Sequence, residues 1–184
     1  MLNHIIDGDI LLKPVECRDA EELFSLTDAN RVYLRHWLPW LDSTQSVKDT
    51  TKFIEESQKQ LEQRSALVVG MHYHGKIAGV IGFHNFDWLN RSTTMGYWLA
   101  ENLQGRGLMT KSCRALINFA FNELKLNRVE IRCAVGNARS RTIPEHLGFQ
   151  NEGTLRDGEW LYDRFEDLVV YGMLAREWPI TIRI

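Results

Sequence analysis

The chain has 184 residues, 44% of them hydrophobic and 25% charged, which is typical of one globular domain and too short for two of ordinary size. No apolar run approaches the length of a membrane span, and the start of the sequence lacks the apolar core of a signal peptide. The net charge of −2 gives no support for general nucleic-acid binding. Three cysteines without the spacing of a metal site are typical of a reduced protein, so we expect a cytoplasmic location.

Hydrophobic periodicity in the first half of the chain predicts both strands and helices. In chain order these are a strand over Ile10–Val15, a helix over Asp19–Ala29, a helix from a cap at Ser46 to about Arg64, and strands over Ala66–Tyr73 and Ile77–Asn85. The short turn His74-Gly75-Lys76 between the last two strands predicts that they pair antiparallel.

The second half contains one strand–helix–strand unit. A strand over Thr93–Leu99 precedes an amphipathic helix over Met109–Leu126, and the next strand has one apolar face, formed by Val129, Ile131, Cys133 and Val135. This order and spacing predict a right-handed parallel crossover. The elements expected after it are a short helix over about Ser140–Leu147 that ends at Gly148, and strands near Phe149–Leu155 and Asp167–Leu174.

The segment between that strand and that helix is the most informative in the chain. It reads Gln104-Gly105-Arg106-Gly107-Leu108-Met109-Thr110, and its two glycines allow a tight turn and a close approach of the backbone to a ligand. A helix that begins directly after such a turn presents free N–H groups and the positive end of its dipole, which together bind phosphate. Arg106 and Lys111 add positive charge nearby. The segment therefore predicts a site for a pyrophosphate-bearing cofactor.

The charge around this glycine loop is consistent with an anionic ligand. Between Gln104 and Arg141 the chain has eight Lys/Arg and two Asp/Glu, although chance clustering of solvated charges explains this equally well. The loop lacks the third glycine of a dinucleotide fingerprint, and the chain has no Gly-Lys-Ser/Thr of a nucleotide-binding P-loop. Oxidoreductase and kinase functions are therefore not favoured.

Two motifs resemble those of the GNAT superfamily of N-acetyltransferases. The first, Q-x-x-G-x-[GA], is met by Gln104 and Gly107, with Met109 where Gly or Ala is usual. The second, N-x-x-S followed by a helix that ends in L-G-F, is met by Asn137, Ser140 and Leu147-Gly148-Phe149. The order of strands and helices is similar as well, from about Ile10 to Leu174.

Two further stretches resemble the ribosomal-protein N-terminal acetyltransferases of the RimL and RimJ kind. They are Trp37-Leu38-Pro39-Trp40 and Gly96-Tyr97-Trp98-Leu99-x-Glu101. The resemblance implies a GNAT-like α/β fold: a mixed, mostly antiparallel central sheet with one parallel strand–helix–strand crossover and helices on both faces. It implies one acetyltransferase domain over residues 1–184.

The resemblance also implies the ligands. Acetyl-CoA is the expected cosubstrate, without a metal, and the acceptor is a primary amine. By the same resemblance that amine belongs to a protein N-terminus, which is ribosomal in the RimL and RimJ enzymes. Neither nucleic acid nor a membrane is expected as a partner, and a homo-oligomer stays open.

Individual residues receive roles from the same resemblance. The pyrophosphate is expected over the glycine loop and the pantetheine arm along the end of the Thr93–Leu99 strand, where a free N–H near Leu99 polarises the thioester carbonyl. Asn137 is expected to hydrogen-bond the arm, with a simple turn residue as its alternative role. The expected cofactor-binding residues are Trp98, Leu99, Gln104, Gly105, Arg106, Gly107, Leu108, Met109, Thr110 and Asn137.

The expected chemistry is direct attack of a neutral amine on a thioester. An α-amino group has a pKa near ~8 and a lysine near ~10.4, so an N-terminal acceptor needs only a modest base. Glu101 is the predicted base, directly or through a water, and a solvated loop carboxylate is its alternative. Pro144 stands where many superfamily members have a tyrosine acid. Ser140 is therefore predicted to donate a hydrogen bond to the leaving thiolate, with a helix N-cap as its alternative role.

Two other functions stay open. One is acetylation of a small-molecule amine, such as a polyamine, an antibiotic or an amino-nucleotide; the other is acyl-CoA binding without catalysis. Trp37 and Trp40 are predicted either to pack in the core or to line an acceptor groove. Four histidines lack the spacing of metal ligands, namely His72, His74, His84 and His146.

Overall fold

The structure, a computed structural model, describes residues 4–6 and 8–179. Its strands are β1 (His4–Ile6), β2 (Ile10–Pro14), β3 (Leu67–Tyr73), β4 (Lys76–Asp87), β5 (Ser92–Leu99), β6 (Arg128–Ala134), β7 (Gln150–Leu161) and β8 (Arg164–Leu174). They form one eight-stranded sheet in the order β1-β2-β3-β4-β5-β6-β8-β7. All neighbours pair antiparallel except β5 and β6, which are parallel. The predicted mixed sheet with one parallel crossover is confirmed.

Helices cover both faces of the sheet, as predicted. They are α1 (Ala20–Ala29), α2 (Arg31–Arg35), α3 (Val47–Glu62), α4 (Leu108–Asn122) and α5 (Ala138–His146). Successive residues of a strand point to opposite faces, so on β3 Val69 joins the core that contains Leu116 of α4, whereas Val68 joins the core that contains Ile54 of α3. The two faces are called the α4 face and the α3 face below.

The parallel pair β5 and β6 holds together over only part of its length. Its register ends at Met95 opposite Ile131; beyond that pair, β5 follows β4 and β6 follows β8. Gly79 allows β4 to hold the end of β5 very closely, since a Cβ there would lie 2.2 Å from the Trp98 carbonyl oxygen. The ends of β5 and β6 therefore diverge into a fork, with the start of α4 beside it.

Some predicted ends of elements are wrong. The helix α4 ends at Asn122 rather than Leu126, and Lys125 beyond it has a left-handed φ of 56° that a helix does not continue through. Val135 lies outside β6 and is 42% exposed, so it does not share the apolar face of that strand.

The hairpin of β7 and β8 extends well beyond the predicted strands. β7 continues to Leu161 rather than ending near Leu155, and β8 begins at Arg164. The sequence hides this because β7 is an edge strand that is exposed at almost every position, so it carries no apolar alternation. The tail, for which the sequence gives no clear prediction, packs Trp178 against α4, where its Nε1 donates to Asn118 Oδ1 at 2.6 Å.

Candidate active site

A cleft of about 1470 Å³ opens at the fork. Its walls are the ends of β5 and β6, the start of α4, α5, the segment between α2 and α3, and part of β7. Every site residue predicted from the sequence lines this cleft except Arg106, which is exposed and donates to the Asn102 carbonyl oxygen at 3.4 Å. Residues from distant parts of the chain are thus brought to one place.

The glycine loop is shaped by two residues in the left-handed region. Gly105 and Gly107 have φ of 73° and 72°, which side-chain-bearing residues rarely adopt. Gly107 is the N-cap of the 15-residue helix α4, so the free N–H groups of the first helical turn are presented at the cleft. The side chains of Leu108 and Met109 are buried in the core, each 5% exposed. Met109 therefore fills core space where the motif usually has Gly or Ala, and the loop offers its backbone to a ligand.

The side chain of Gln104 joins two walls of the cleft. Its Nε2 donates to Tyr33 Oη of α2, and its Oε1 accepts a hydrogen bond of 2.7 Å from Arg139 Nη1 of α5. Neither partner was predicted, because Tyr33 is far from Gln104 in sequence and Arg139 occupies a variable position of its motif. The contact fixes the position of the residue that enters the glycine loop.

Asn137 caps α5. Its Oδ1 accepts a hydrogen bond of 3.1 Å from Ser140 N, and the helix begins at Ala138. Ser140 is therefore in the first turn of the helix, and the alternative in which it forms the N-cap is wrong. Pro144, at the position of the missing tyrosine, lies buried within α5.

The Ser140 hydroxyl belongs to a polar cluster at the fork. Its Oγ lies 3.3 Å from Cys133 Sγ and 3.4 Å from Tyr97 Oη, and Tyr97 Oη donates to the Ser140 carbonyl oxygen at 3.0 Å. Burial raises the pKa of Tyr97 well above its ordinary range and also raises the pKa of Cys133, so both groups stay protonated at neutral pH. The cluster therefore combines three weak hydrogen-bond donors, of which sequence motifs identified only Ser140.

Two carboxylates line the cleft on different walls. Glu101 lies two residues after the end of β5 and is exposed, and its backbone N–H donates a hydrogen bond of 2.9 Å to Asn30 Oδ1. Glu159 is half-buried on β7 and lies opposite Glu166 of β8. Burial, and to a smaller extent the charge of Glu166, raises the pKa of Glu159. Sequence reasoning missed Glu159 because it belongs to no motif and lies in the unpredicted part of β7.

The segment between α2 and α3 is tied to the β7–β8 hairpin by one tyrosine. Tyr162 Oη donates to the Leu38 carbonyl oxygen at 2.6 Å and accepts from Leu41 N at 3.2 Å. Trp37 lines the cleft, whereas Trp40 lies outside it, with its ring centroid 6.4 Å from that of Trp98. Of the two tryptophans proposed for an acceptor groove, only Trp37 is placed to line one.

Across residues 4–6 and 8–179, no group of His, Cys, Asp and Glu side chains is arranged to hold a metal ion. Over the same ranges no helix has both the length and the apolar character needed to cross a membrane.

This combination of a forked sheet, a helix-capping glycine loop and an N-x-x-S helix defines an acetyl-CoA-dependent acetyltransferase. Residues 9–150 match the family model described as an acetyltransferase (GNAT) domain. The chain therefore belongs to the GNAT acetyltransferases.

Within that family the chain is similar to ribosomal-protein acetyltransferases. It is 39% identical to YdaF of Bacillus subtilis (strain 168), provisionally named a ribosomal N-acetyltransferase, over 94% of this chain and 95% of that protein. It is 30% identical to the ribosomal-protein-serine acetyltransferase of Escherichia coli (strain K12), over 92% of this chain and 94% of that protein. A solved structure of the microcin C7 self-immunity acetyltransferase MccE, in complex with acetyl-CoA and AMP, is 30% identical, has a TM-score of 0.88, and is matched over 91% of this chain and 93% of that one.

Proposed function

We propose that this enzyme transfers the acetyl group of acetyl-CoA to the α-amino group at the N-terminus of a protein. The observation that carries the proposal is the fork, which opens the sheet beside the glycine loop and joins it to a cleft lined by residues of both faces. The names of two relatives, both ribosomal-protein acetyltransferases, support a protein as the acceptor.

The residues around the fork fit acetyl-CoA. A Cβ at Gly105 or Gly107 would meet no atom within 4 Å, so the loop leaves room for a pyrophosphate against the N–H groups of α4. Beyond Met95, β5 no longer pairs with β6. Ala100 N donates to Ala78 O of β4, so by the alternation of a strand the backbone groups of Leu99 point to the fork, where they are available to hydrogen-bond an extended pantetheine arm. When bound, the cofactor supplies an activated acyl carbonyl at the fork.

The two faces of the sheet divide the chemistry. Tyr97 joins the core of the α4 face and the next residue, Trp98, that of the α3 face. The cluster of Tyr97, Ser140 and Cys133 is therefore on the α4 face, together with the glycine loop. The strand register pairs Glu159 with Glu166 of β8, and Glu166 points to the same face as Leu168, two residues further along that strand. By this register Glu159 lies on the α3 face. An amine that approaches from the α3 face meets the carboxylate on its own side and the thioester in the fork.

Glu159 is the base that the geometry favours, and Glu101 stays a second candidate. A carboxylate whose pKa is raised is a stronger base than an ordinary one, and burial raises the pKa of Glu159. It takes a proton from the attacking ammonium or amine, either directly or through a water. An α-amine, with a pKa near ~8, needs this help less than a lysine at ~10.4.

Ser140 is the proposed hydrogen-bond donor to the departing thiolate. Its Oγ is 3.4 Å from Tyr97 Oη, which is fixed by its own hydrogen bond of 3.0 Å to the Ser140 carbonyl oxygen. A serine hydroxyl is too weak an acid to protonate a thiolate fully, so its role is to stabilise the developing negative charge on sulfur. Tyr97 acts as a positioning residue for that hydroxyl.

A small-molecule amine attached to a nucleotide is the second candidate acceptor. It is favoured by the similarity to MccE, whose solved structure contains AMP as well as acetyl-CoA. Trp37 lines the cleft and offers an aromatic face on which a base could stack.

An acceptor competition at saturating acetyl-CoA tests the proposal. The acceptors are a peptide with a free N-terminus, the same peptide blocked at its N-terminus but carrying lysine, spermidine, and an aminoacyl adenylate analogue. We expect the free N-terminus to be acetylated fastest. Faster acetylation of the blocked peptide or spermidine contradicts the acceptor, and faster acetylation of the nucleotide favours the second candidate. Binding of CoA by calorimetry without turnover of any amine would indicate a binding module.

A further inference from the structure

Arg139 is a cation of the cleft that the predicted cofactor-binding residues do not include. It lies in the first turn of α5, on the wall of the cleft opposite the glycine loop, and its Nη1 donates a hydrogen bond of 2.7 Å to Gln104 Oε1. At most four bonds of about 1.5 Å each separate this oxygen from the Gln104 Cα, and Gly105 is the next residue. The guanidinium therefore lies within the length of one side chain from the backbone of the loop.

Gln104 fixes the direction in which this guanidinium points. A side-chain amide offers both an acceptor and a donor, and here the oxygen accepts from Arg139 while Nε2 donates to Tyr33 Oη of α2. The tyrosine hydroxyl thus holds the amide with its oxygen towards the arginine. Among the described residues the guanidinium makes only this one hydrogen bond, so most of its five N–H donors are available to a ligand.

The other arginines and the lysine that line the cleft are placed differently. Lys111 and Arg114 are on α4 itself, where the guanidinium carbon of Arg114 lies 5.8 Å from the centroid of the Trp178 ring. Arg132 is on β6 and forms an ion pair within that strand. Within the described part of the chain, Arg139 is the cation that faces the glycine loop from α5.

We propose that Arg139 binds the pyrophosphate of acetyl-CoA from the α5 side, opposite the N–H groups at the start of α4. The inference rests on the proposed use of acetyl-CoA and adds one residue to its site. A planar guanidinium can donate two parallel hydrogen bonds to phosphate oxygens, and a pyrophosphate has enough oxygens to accept from the loop and from the arginine at once. Gln104 and Tyr33 act as positioning residues for this cation.

The size of the effect follows from the exposure of the arginine. Hydrogen bonds to charged groups contribute most where water is excluded, and Arg139 is exposed to solvent at the edge of the cleft. We therefore expect a contribution at the lower end for such bonds, about 10-fold in the Kd of CoA.

The test measures three ligands that lose phosphate groups in turn. Calorimetry gives the Kd of CoA and of dephospho-CoA, which lacks the 3′-phosphate, and competition with CoA gives that of pantetheine, which has no phosphate. Arg139→Gln should weaken CoA and dephospho-CoA equally, by about 10-fold, and should leave pantetheine unchanged. A loss for CoA alone would assign Arg139 to the 3′-phosphate, and an equal loss for pantetheine would show a disturbed site without a phosphate contact. Either result overturns the proposal.

Arg141→Gln is the matched control, since it makes the same change on the same helix. Arg141 lies outside the residues that line the cleft, and its Nε donates to Tyr171 Oη at 3.0 Å, so all three Kd values should stay as in the wild type. Unchanged CoA binding in Arg139→Gln overturns this inference while leaving the use of acetyl-CoA intact. A wild-type protein that binds no CoA overturns the proposed function as well.

Tyr33→Phe separates positioning from direct contact. It removes only the hydroxyl that orients Gln104, so we expect a smaller loss of CoA affinity than in Arg139→Gln. In the double variant the loss should equal that of Arg139→Gln alone, because the tyrosine acts through the arginine. Losses that add up in the double variant would overturn the positioning role of Tyr33.

Discussion

The cofactor half and the acceptor half of the cleft are built in different ways. The cofactor half, where we propose that acetyl-CoA binds, consists of consecutive residues, Gln104 to Thr110, together with the cap of α5 at Asn137. We expect it to act largely through backbone N–H groups. The acceptor half gathers side chains from separate elements, with Trp37 before α3, His84 on β4 and Glu159 on β7. One half is a local feature of the chain and the other exists only in the folded sheet.

This difference determines which amino-acid substitutions each half of the cleft tolerates. A backbone site depends on glycine conformation and on a helix terminus, so few substitutions are compatible with it. A site made of side chains on separate strands can change one residue at a time without disturbing the sheet. We therefore expect substitutions in the two halves to separate kinetically: cofactor affinity should follow the loop, and acceptor turnover should follow the distant side chains.

Glu159→Gln is expected to have the largest effect. Loss of a general base lowers kcat by about 100-fold or more, while the affinity for CoA, measured by calorimetry, stays as in the wild type. The pKa of Glu159 is raised, and the carboxylate has to be deprotonated to act. The wild-type kcat/KM should therefore rise with pH through that raised pKa, and the variant should lose this limb of the profile.

Glu101→Gln is the matched control for that experiment, because both carboxylates line the same cleft. We expect a much smaller decrease in kcat, and the rise of kcat/KM with pH should stay as in the wild type. If Glu101→Gln abolishes the limb and Glu159→Gln leaves it, the base lies directly beside the glycine loop and the proposed division of the cleft into two halves is wrong.

Gly107→Val tests the cofactor half. The left-handed φ of 72° is strained for a β-branched residue by about 1–3 kcal/mol, and the side chain would enter the space beside the loop, so CoA affinity should fall by about 10- to 100-fold. Gly75→Val is the control, since Gly75 has a φ of 81° in the turn between β3 and β4, away from the cleft. Both variants should lose stability, and calorimetry should show weaker CoA binding only for Gly107→Val.

The difference between the cofactor half and the acceptor half also determines which site residues could be predicted from the sequence. The loop, α4 and Asn137 are found from spacing because their contacts are local. Glu159 was missed because β7 is an exposed edge without apolar periodicity, and only the register with β8 brings it to the cleft. Tyr97 was seen only as part of a family-like stretch, because its contact with Ser140 spans 43 residues of sequence. His84 belongs to no sequence motif, and nothing local indicates that its ring covers Gly96.

Ser140 lies at the boundary between the two halves of the cleft. Ser140→Ala should lower kcat by about 10- to 100-fold. This is at or below the lower end of the effect expected for a general acid, because serine is a weak acid. Its affinity for CoA should remain unchanged. Tyr97→Phe should cause a smaller decrease, since Tyr97 Oη bonds the Ser140 backbone and acts on the hydroxyl only indirectly. Rates measured at saturating acetyl-CoA distinguish these effects, and a larger loss in Tyr97→Phe would make the phenol the direct donor.

The smallest effect is expected from His72, which lies on β3 outside the residues that line the cleft. His72 is 5% exposed, and its Nε2 has no hydrogen-bond partner among the described residues. Burial, followed by the charge of Lys13, lowers the pKa of His72, although Asp19 and Glu22 oppose this. The unfolded chain therefore binds a proton more readily than the folded one. Stability is full above about pH 6.5 and is lost as the pH falls below it, by on the order of 1 kcal/mol for each unit by which the pKa is lowered.

His72→Phe keeps the ring volume and removes the titrating group, so its free energy of unfolding should vary less between pH 5 and 7 than that of the wild type. Urea titrations at each pH measure this difference. His74→Asn is a suitable control, because His74 is exposed and asparagine tolerates its left-handed φ of 49°. Equal pH dependence in the wild type and His72→Phe would place the acid sensitivity elsewhere. A smaller pH dependence in His72→Phe would show that His72 contributes to the acid sensitivity of the fold.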